Sequence, residues 1–108
     1  MYITFNSLKD LLRFNIKYYR YEKNISQERL AELCDSTPRY LTDVERGIHC
    51  PSIAKIEKIA EALEIKPELL FMNEKRDMEI INRIKSSRQY NQIKVNIVEH
   101  RLKDTVTQ

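Results

Sequence analysis

From Leu8 to Phe71 the apolar residues recur at helical spacing, and the pattern predicts five helices. The first runs from about Ser7 to Glu22, with Leu8, Leu12, Ile16 and Tyr19 on one face. The second opens at Ser26, a hydroxyl suited to capping, and turns Leu30, Ala31 and either Leu33 or Cys34 inward. A polar break at Asp35-Ser36 follows. Thr37 then caps a third helix with Pro38 at its first position and Gly47 as its left-handed stop. The fourth opens at Ser52 and carries the stripe Ile53, Ile56, Ile59, Ala60 and Leu63. The fifth is short, from Lys66 to Phe71.

Beyond Asn73 the pattern loosens. Met78, Ile81 and Ile84 suit a helix, interrupted by Ser86-Ser87. Further on, Ile93, Val95 and Ile97 alternate as a strand would, whereas Val95, Val98 and Leu102 suit a helix. Periodicity does not separate the two, and helix is the expectation for this extension. The predicted fold class is all-α, with a five-helix domain over residues 1–73 and an extension over 74–108.

Glycine usage supports a helical chain. Hairpins and strand-to-helix turns draw on residues with positive φ, which glycine supplies most easily, and the sequence holds one glycine in 108 residues. Its turns are then made by helix caps. The longest apolar run is the four residues Leu69 to Met72, far short of the roughly 18 a membrane-crossing helix needs. The first residues lack the basic-then-apolar layout of a secretory signal. Cys34 and Cys50 show neither disulfide-framework nor metal spacing and read as free thiols in a reducing cytoplasm. The net charge of +3 is carried by the extension: residues 74–108 hold eight Lys/Arg against five Asp/Glu, and residues 1–73 eleven against eleven.

Two helices joined by a short turn, the second beginning Thr37-Pro38-Arg39-Tyr40, have the dimensions of a helix-turn-helix. The run Ser26-Gln27-Glu28-Arg29-Leu30-Ala31-Glu32, followed by Thr37 to Gly47 and then Pro51-Ser52, resembles the Cro-like, lambda-repressor-like (XRE) family over roughly residues 10–71. Physical reasons for the pattern stand beside the resemblance. Leu30, Ala31, Leu41 and Val44 would form the contact between the two helices, with a small Ala31 permitting close approach. Gln27, near the amino end of the second helix, is placed to bond a phosphate that the helix dipole also favours.

The resemblance implies that Thr37, Pro38, Arg39, Tyr40, Thr42 and Asp43 face DNA and that Arg46 approaches the backbone. Arg39 is the base-reading candidate, because its fork matches the two acceptors on a guanine edge. Tyr40 would reach a phosphate or thymine methyl, or pack on its neighbours. Thr37 is first a cap, and Asp43 must accept from a cytosine amine or pair with an arginine. The family pairs an arginine of the first helix with a glutamate of the recognition helix, which falls on Arg20 and Glu45. Asp35 and Ser36 depart from the family's glycine and aliphatic residue in the turn, which points to a longer or looser connection. With a neutral core domain, affinity must come from local asymmetry, with Gln27, Arg39, Arg46 and Lys55 on one face and a modest salt dependence.

Other signals carry less. His49-Cys50 lacks partners for a zinc site beyond Cys34 and His100. No nucleophile motif or phosphate-cradling glycine loop is present, so neither an enzyme nor a cofactor is expected. Glu57, Glu61 and Glu64 read as a solvated face, and Tyr18, Tyr19 and Tyr21 as helix packing. The implied function is that of a double-stranded-DNA-binding regulator, a repressor acting as a homodimer on an inverted repeat. Half-sites about 34 Å apart would suit such a dimer. Ile80, Ile81, Ile84, Ile93, Ile97, Val98 and Leu102 would supply the dimer contact, unless the extension folds back on its own domain. The alternatives are an antitoxin whose residues 74–108 cover a protein partner, and an adaptor without specific DNA contact.

Overall fold

The structure, a computed structural model, describes residues 2–73, 76–86 and 96–98. Its elements in chain order are β1 (Tyr2–Thr4), α1 (Leu8–Glu22), α2 (Gln27–Leu33), α3 (Pro38–Glu45), α4 (Ile53–Ala62), a 3-10 helix (Pro67–Phe71), α5 (Met78–Lys85) and β2 (Asn96–Val98). Four helices start as the sequence predicts, each on a hydroxyl that accepts from the backbone N–H three residues on: Ser7 from Asp10, Ser26 from Arg29, Thr37 from Tyr40 and Ser52 from Lys55. The fifth predicted helix is a single 3-10 segment, opened by Pro67.

The helices end by one repeated device. After α1, α2, α3 and α4 the chain passes through a left-handed residue, and the following N–H reaches back to a carbonyl of the last turn: Ile25 to Arg20 at 3.0 Å, Ser36 to Ala31 at 2.8 Å, Ile48 to Asp43 at 2.8 Å and Ile65 to Ala60 at 3.0 Å. Gly47 (φ +79°) fills that position once. Asn24 (φ 56°), Asp35 (φ 54°) and Glu64 (φ 57°) fill it elsewhere. The turn between α2 and α3 is therefore tight, and the expected looseness is corrected: Asp35 itself takes the left-handed conformation at the position where the resemblance called for glycine.

α1 is the central helix. All ten residues from Leu11 to Arg20 are buried, because α3 packs on one side and the 3-10 helix and α5 on the others. Phe14, Ile16, Leu30, Leu41, Ile59, Leu63 and Leu70 are fully enclosed in one core. Two stripe positions do not join it. Leu8 (62% exposed) and Ile53 (73%) lie in the first turns of their helices, beyond the reach of packing partners.

Residues 76–86 return to this core. Ile80, Ile81 and Ile84 pack into the same cluster as α1. Asn15, at the middle of α1, donates to the carbonyls of Leu70 (2.9 Å) and Met72 (3.1 Å) and accepts from Arg76, whose guanidinium lies 5.2 Å over the Tyr18 ring. Tyr18 Oη accepts the Asp77 N–H at 2.9 Å. Arg83 donates to the Tyr21 carbonyl (3.1 Å) and Asn24 Oδ1 (2.9 Å). Ile80, Ile81 and Ile84 are thus corrected as dimer residues: they are buried in their own chain. Ile93 and Leu102 lie outside the described residues, as do the side chains of Ile97 and Val98.

The helical expectation for the extension holds for α5 and fails at Asn96–Val98, a strand antiparallel to β1 with Tyr2 opposite Val98, Ile3 opposite Ile97 and Thr4 opposite Asn96. Branched residues at Ile97 and Val98 suit that extended pairing. Among the described residues, no helix is long and apolar enough to cross a membrane.

Candidate nucleic-acid interface

α3 buries Leu41, Val44 and Glu45 and turns the remainder of its surface outward. Leu41 and Val44 meet Leu30 and Ala31 of α2 in the core, as the alternation of apolar and polar positions requires. Thr37, Pro38 and Arg39 are exposed at its amino end; Tyr40, Thr42 and Asp43 are half-buried; Arg46 is exposed just past its last turn. The candidate residues on and beside α3 therefore share one accessible side.

The carboxyl end of α3 is fixed from behind by one face of α1. Arg20 Nε donates to Glu45 Oε2 at 2.7 Å and Nη2 to Oε1 at 2.9 Å, with the Glu45 side chain fully buried. Arg20 Nη1 also holds the Ile25 carbonyl at 2.9 Å, tying the start of the next connection to the same guanidinium. One helical turn earlier is Lys17, also without exposed surface. Burial lowers its ammonium to a pKa of about 8; Glu45 opposes that shift, and the charges of Arg20 and Arg13 add to it. A further turn back, Arg13 Nη1 donates to the Arg46 carbonyl at 2.6 Å and Nε to Asp10 at 3.0 Å. Three cations thus face the carboxyl end of α3, where the helix dipole favours positive charge. Gly47 belongs to the same arrangement, because a Cβ there would lie 2.7 Å from Arg13 Nη1.

Gln27 is tied into this support. Its Nε2 donates to Glu45 Oε1 at 2.9 Å, and its Oε1 is 3.0 Å from Thr42 Oγ1, whose hydrogen has the Pro38 carbonyl as a second acceptor at 3.0 Å. The amide bridges α2 to the middle of α3. On the outer side, Arg39 Nε lies 3.3 Å from both Asp43 oxygens while its side chain stays 83% exposed. The acid thereby steadies the arginine stem and neutralises part of its own repulsion toward an anionic partner.

Two contacts of Tyr40 were not legible in the sequence, although Lys55 was expected on the same face. His49 meets the ring edge-on with centroids 5.0 Å apart, and Lys55 Nζ lies 5.6 Å from its centroid while donating to the Cys34 carbonyl at 3.3 Å. Both come from elements after α3, and only the fold brings them together. Arg13 and Lys17 escaped the sequence reading for a different reason: polar residues on a helix default to the solvent side. The i, i+4, i+7 spacing of Arg13, Lys17 and Arg20 was the available sign of one shared face. Among the described residues, no cluster of three His, Cys, Asp or Glu is placed to hold a metal, and Cys34 and Cys50 are both free thiols.

A short α2, a tight turn and an α3 braced from behind, with an arginine-bearing outer face, define a helix-turn-helix protein. The helix-turn-helix family profile HTH_3 matches residues 16–70, and the chain belongs to this XRE-type family of DNA-binding transcriptional regulators. Control protein C.BamHI of Bacillus amyloliquefaciens is 39% identical over 64 residues, which span 58% of this chain and 79% of that protein. Among solved structures, the hypothetical transcription factor NHTF from Neisseria is similar at a TM-score of 0.59 and 30% identity, covering 71% of this chain and 85% of its own. The restriction-modification controller protein C.AhdI from Aeromonas hydrophila is similar at 0.52 and 41%, covering 57% and 97%.

Proposed function

We propose that the protein is a transcriptional repressor that binds a specific double-stranded DNA sequence as a homodimer on an inverted repeat. The observation that carries this reading is Arg39: an exposed guanidinium at the amino end of α3, steadied by Asp43 on a helix whose opposite end is locked to α1. A rigid helix with a reading side chain at its amino end is what a major groove accepts. Thr37, Pro38, Tyr40 and Thr42 would lie along the same groove, and Arg46 near the phosphates. Gln27 would act mainly by holding Thr42 and Glu45, with its helix amino end toward the backbone.

Homodimer formation follows from the size of the reading surface. One α3 offers few base contacts, and two related by a two-fold axis read half-sites about 34 Å apart on one side of the duplex. Repression needs no further surface: a dimer seated on promoter DNA occludes it. The test is transcription in vitro from a promoter carrying the site recovered by selection from random duplexes. Added protein should reduce transcript in step with site occupancy. Unchanged or increased transcript at full occupancy would contradict repression.

A further inference from the structure

Thr42 is half-buried on α3, one helical turn after Pro38 and Arg39, and shares their side of the helix. A threonine hydroxyl has one hydrogen to give and two lone pairs that accept. Thr42 Oγ1 lies 3.0 Å from Gln27 Oε1 and 3.0 Å from the Pro38 carbonyl. Both are acceptors. Whichever of them takes the single hydrogen, it stays within the protein.

The buried ion pair decides that Gln27 accepts at this point. Arg20 donates to both oxygens of Glu45, so the carboxylate can only accept. Glu45 Oε1 also takes Gln27 Nε2 at 2.9 Å. Turned over, the Gln27 amide would set its oxygen against a carboxylate that is wholly out of solvent. The amide is therefore held with Oε1 toward Thr42. A chain of donors runs outward from the core: Gln27 gives to Glu45, and Thr42 gives to Gln27 or Pro38.

We propose that Thr42 reads DNA purely as a hydrogen-bond acceptor, taking the exocyclic amine of adenine or cytosine in the major groove. The assignment rests on the DNA-binding reading above and names the chemistry of one contact within it. Phosphate oxygens, purine N7, guanine O6 and thymine O4 are all acceptors and give Thr42 nothing to bond. Adenine N6 and cytosine N4 donate. Arg39, three residues away on the same face, can only donate, so the two side chains ask for opposite groups.

Every base pair carries one such amine, so selection locates the contact and removal of the amine tests it. Random duplexes are selected with the unmodified full chain and with Thr42→Val, which keeps the shape and loses the hydroxyl. At the base pair where the two selections differ, purine replaces adenine, or pyrimidinone replaces cytosine. This change should weaken the unmodified chain roughly three- to ten-fold more than Thr42→Val, the lost base-pair hydrogen bond being common to both. Thr42→Ser should respond as the unmodified chain does. If Thr42→Val loses its helical melting transition, Thr42→Ala takes its place.

An equal response of both proteins to amine removal would overturn the assignment, as would two identical selections. A response that depends on Thr42 when the pair instead loses purine N7 or the thymine methyl would overturn it too. Each of these outcomes leaves the DNA reading standing, because a sequence has been selected. No enrichment by the unmodified chain would overturn both.

Discussion

Arg20 and Glu45 meet through two parallel hydrogen bonds of 2.7 and 2.9 Å, across 25 positions of sequence, with Glu45 wholly out of solvent. One oxygen of that carboxylate also takes the Gln27 amide. The pair joins the central helix to the recognition helix, and its burial makes it a requirement of the fold. Glu45→Ala leaves the Arg20 guanidinium buried without its carboxylate and should destabilise the protein by about 3–5 kcal/mol in urea denaturation. Replacing both residues by apolar ones of similar volume should restore much of that loss. A cost well below about 1 kcal/mol for Glu45→Ala would show that the pair is effectively solvated.

Ile84 separates fold-back of the extension from dimerisation through α5. It has no exposed surface and lies in the core beside α1. Ile84→Ala should cost about 2–5 kcal/mol. That loss should be the same at low and high protein concentration, since it removes a contact within one chain. A loss that shrinks as concentration rises would place Ile84 between chains.

Glu64 is the costliest of the left-handed turn residues. Its φ of 57° suits glycine, tolerates Asn or Asp, and strains a longer side chain. Glu64→Gly should raise stability by about 0.5–1 kcal/mol without altering DNA binding, as read by thermal melting and a duplex titration. At Gly47 the reverse holds. Gly47→Ala combines a φ of +79° with a Cβ that would crowd Arg13, and it should both destabilise the chain and loosen the end of α3.

How much of this was legible in the sequence depended on how local the cause is. The caps at Ser7, Ser26, Thr37 and Ser52 act over three residues, and the hydroxyl and the following apolar pattern announce them. The outward placement of Thr37, Pro38 and Arg39, with Leu41 turned inward, follows from α3's own periodicity. Arg13, Asn15 and Lys17 were not legible, because their burial is caused by three separate elements closing around α1. Leu8 and Ile53 matched the helical stripe yet stay exposed, since a stripe does not show where packing partners end. The strand at Asn96–Val98 depends on β1, at the opposite end of the sequence, which no local window contains.

Lys17 gives the fold a pH signature. Its ammonium titrates near pH 8 in the folded protein and near its ordinary 10.5 when unfolded. Between those values the unfolded chain binds more protons, so stability should rise with pH, by less than about 1.4 kcal/mol per unit, the one-proton limit. Burial raises the phenols of Tyr18 and Tyr40 above 10.0, and their opposite contribution begins only there. Denaturation midpoints followed from pH 8 to 10 should therefore climb. Lys17→Met should abolish the climb and be at least as stable at neutral pH; a climb that persists in this variant would assign it to another group.

Arg39 carries the functional reading, and selection from random duplex DNA at near-physiological salt tests it most directly. The unmodified chain should enrich an inverted repeat with half-sites about one helical turn apart. Arg39→Ala should lose discrimination at one base pair of each half-site, by about 1–3 kcal/mol, and retain the rest of the pattern. No enrichment by the unmodified chain, or an identical pattern from Arg39→Ala, would contradict sequence reading by α3.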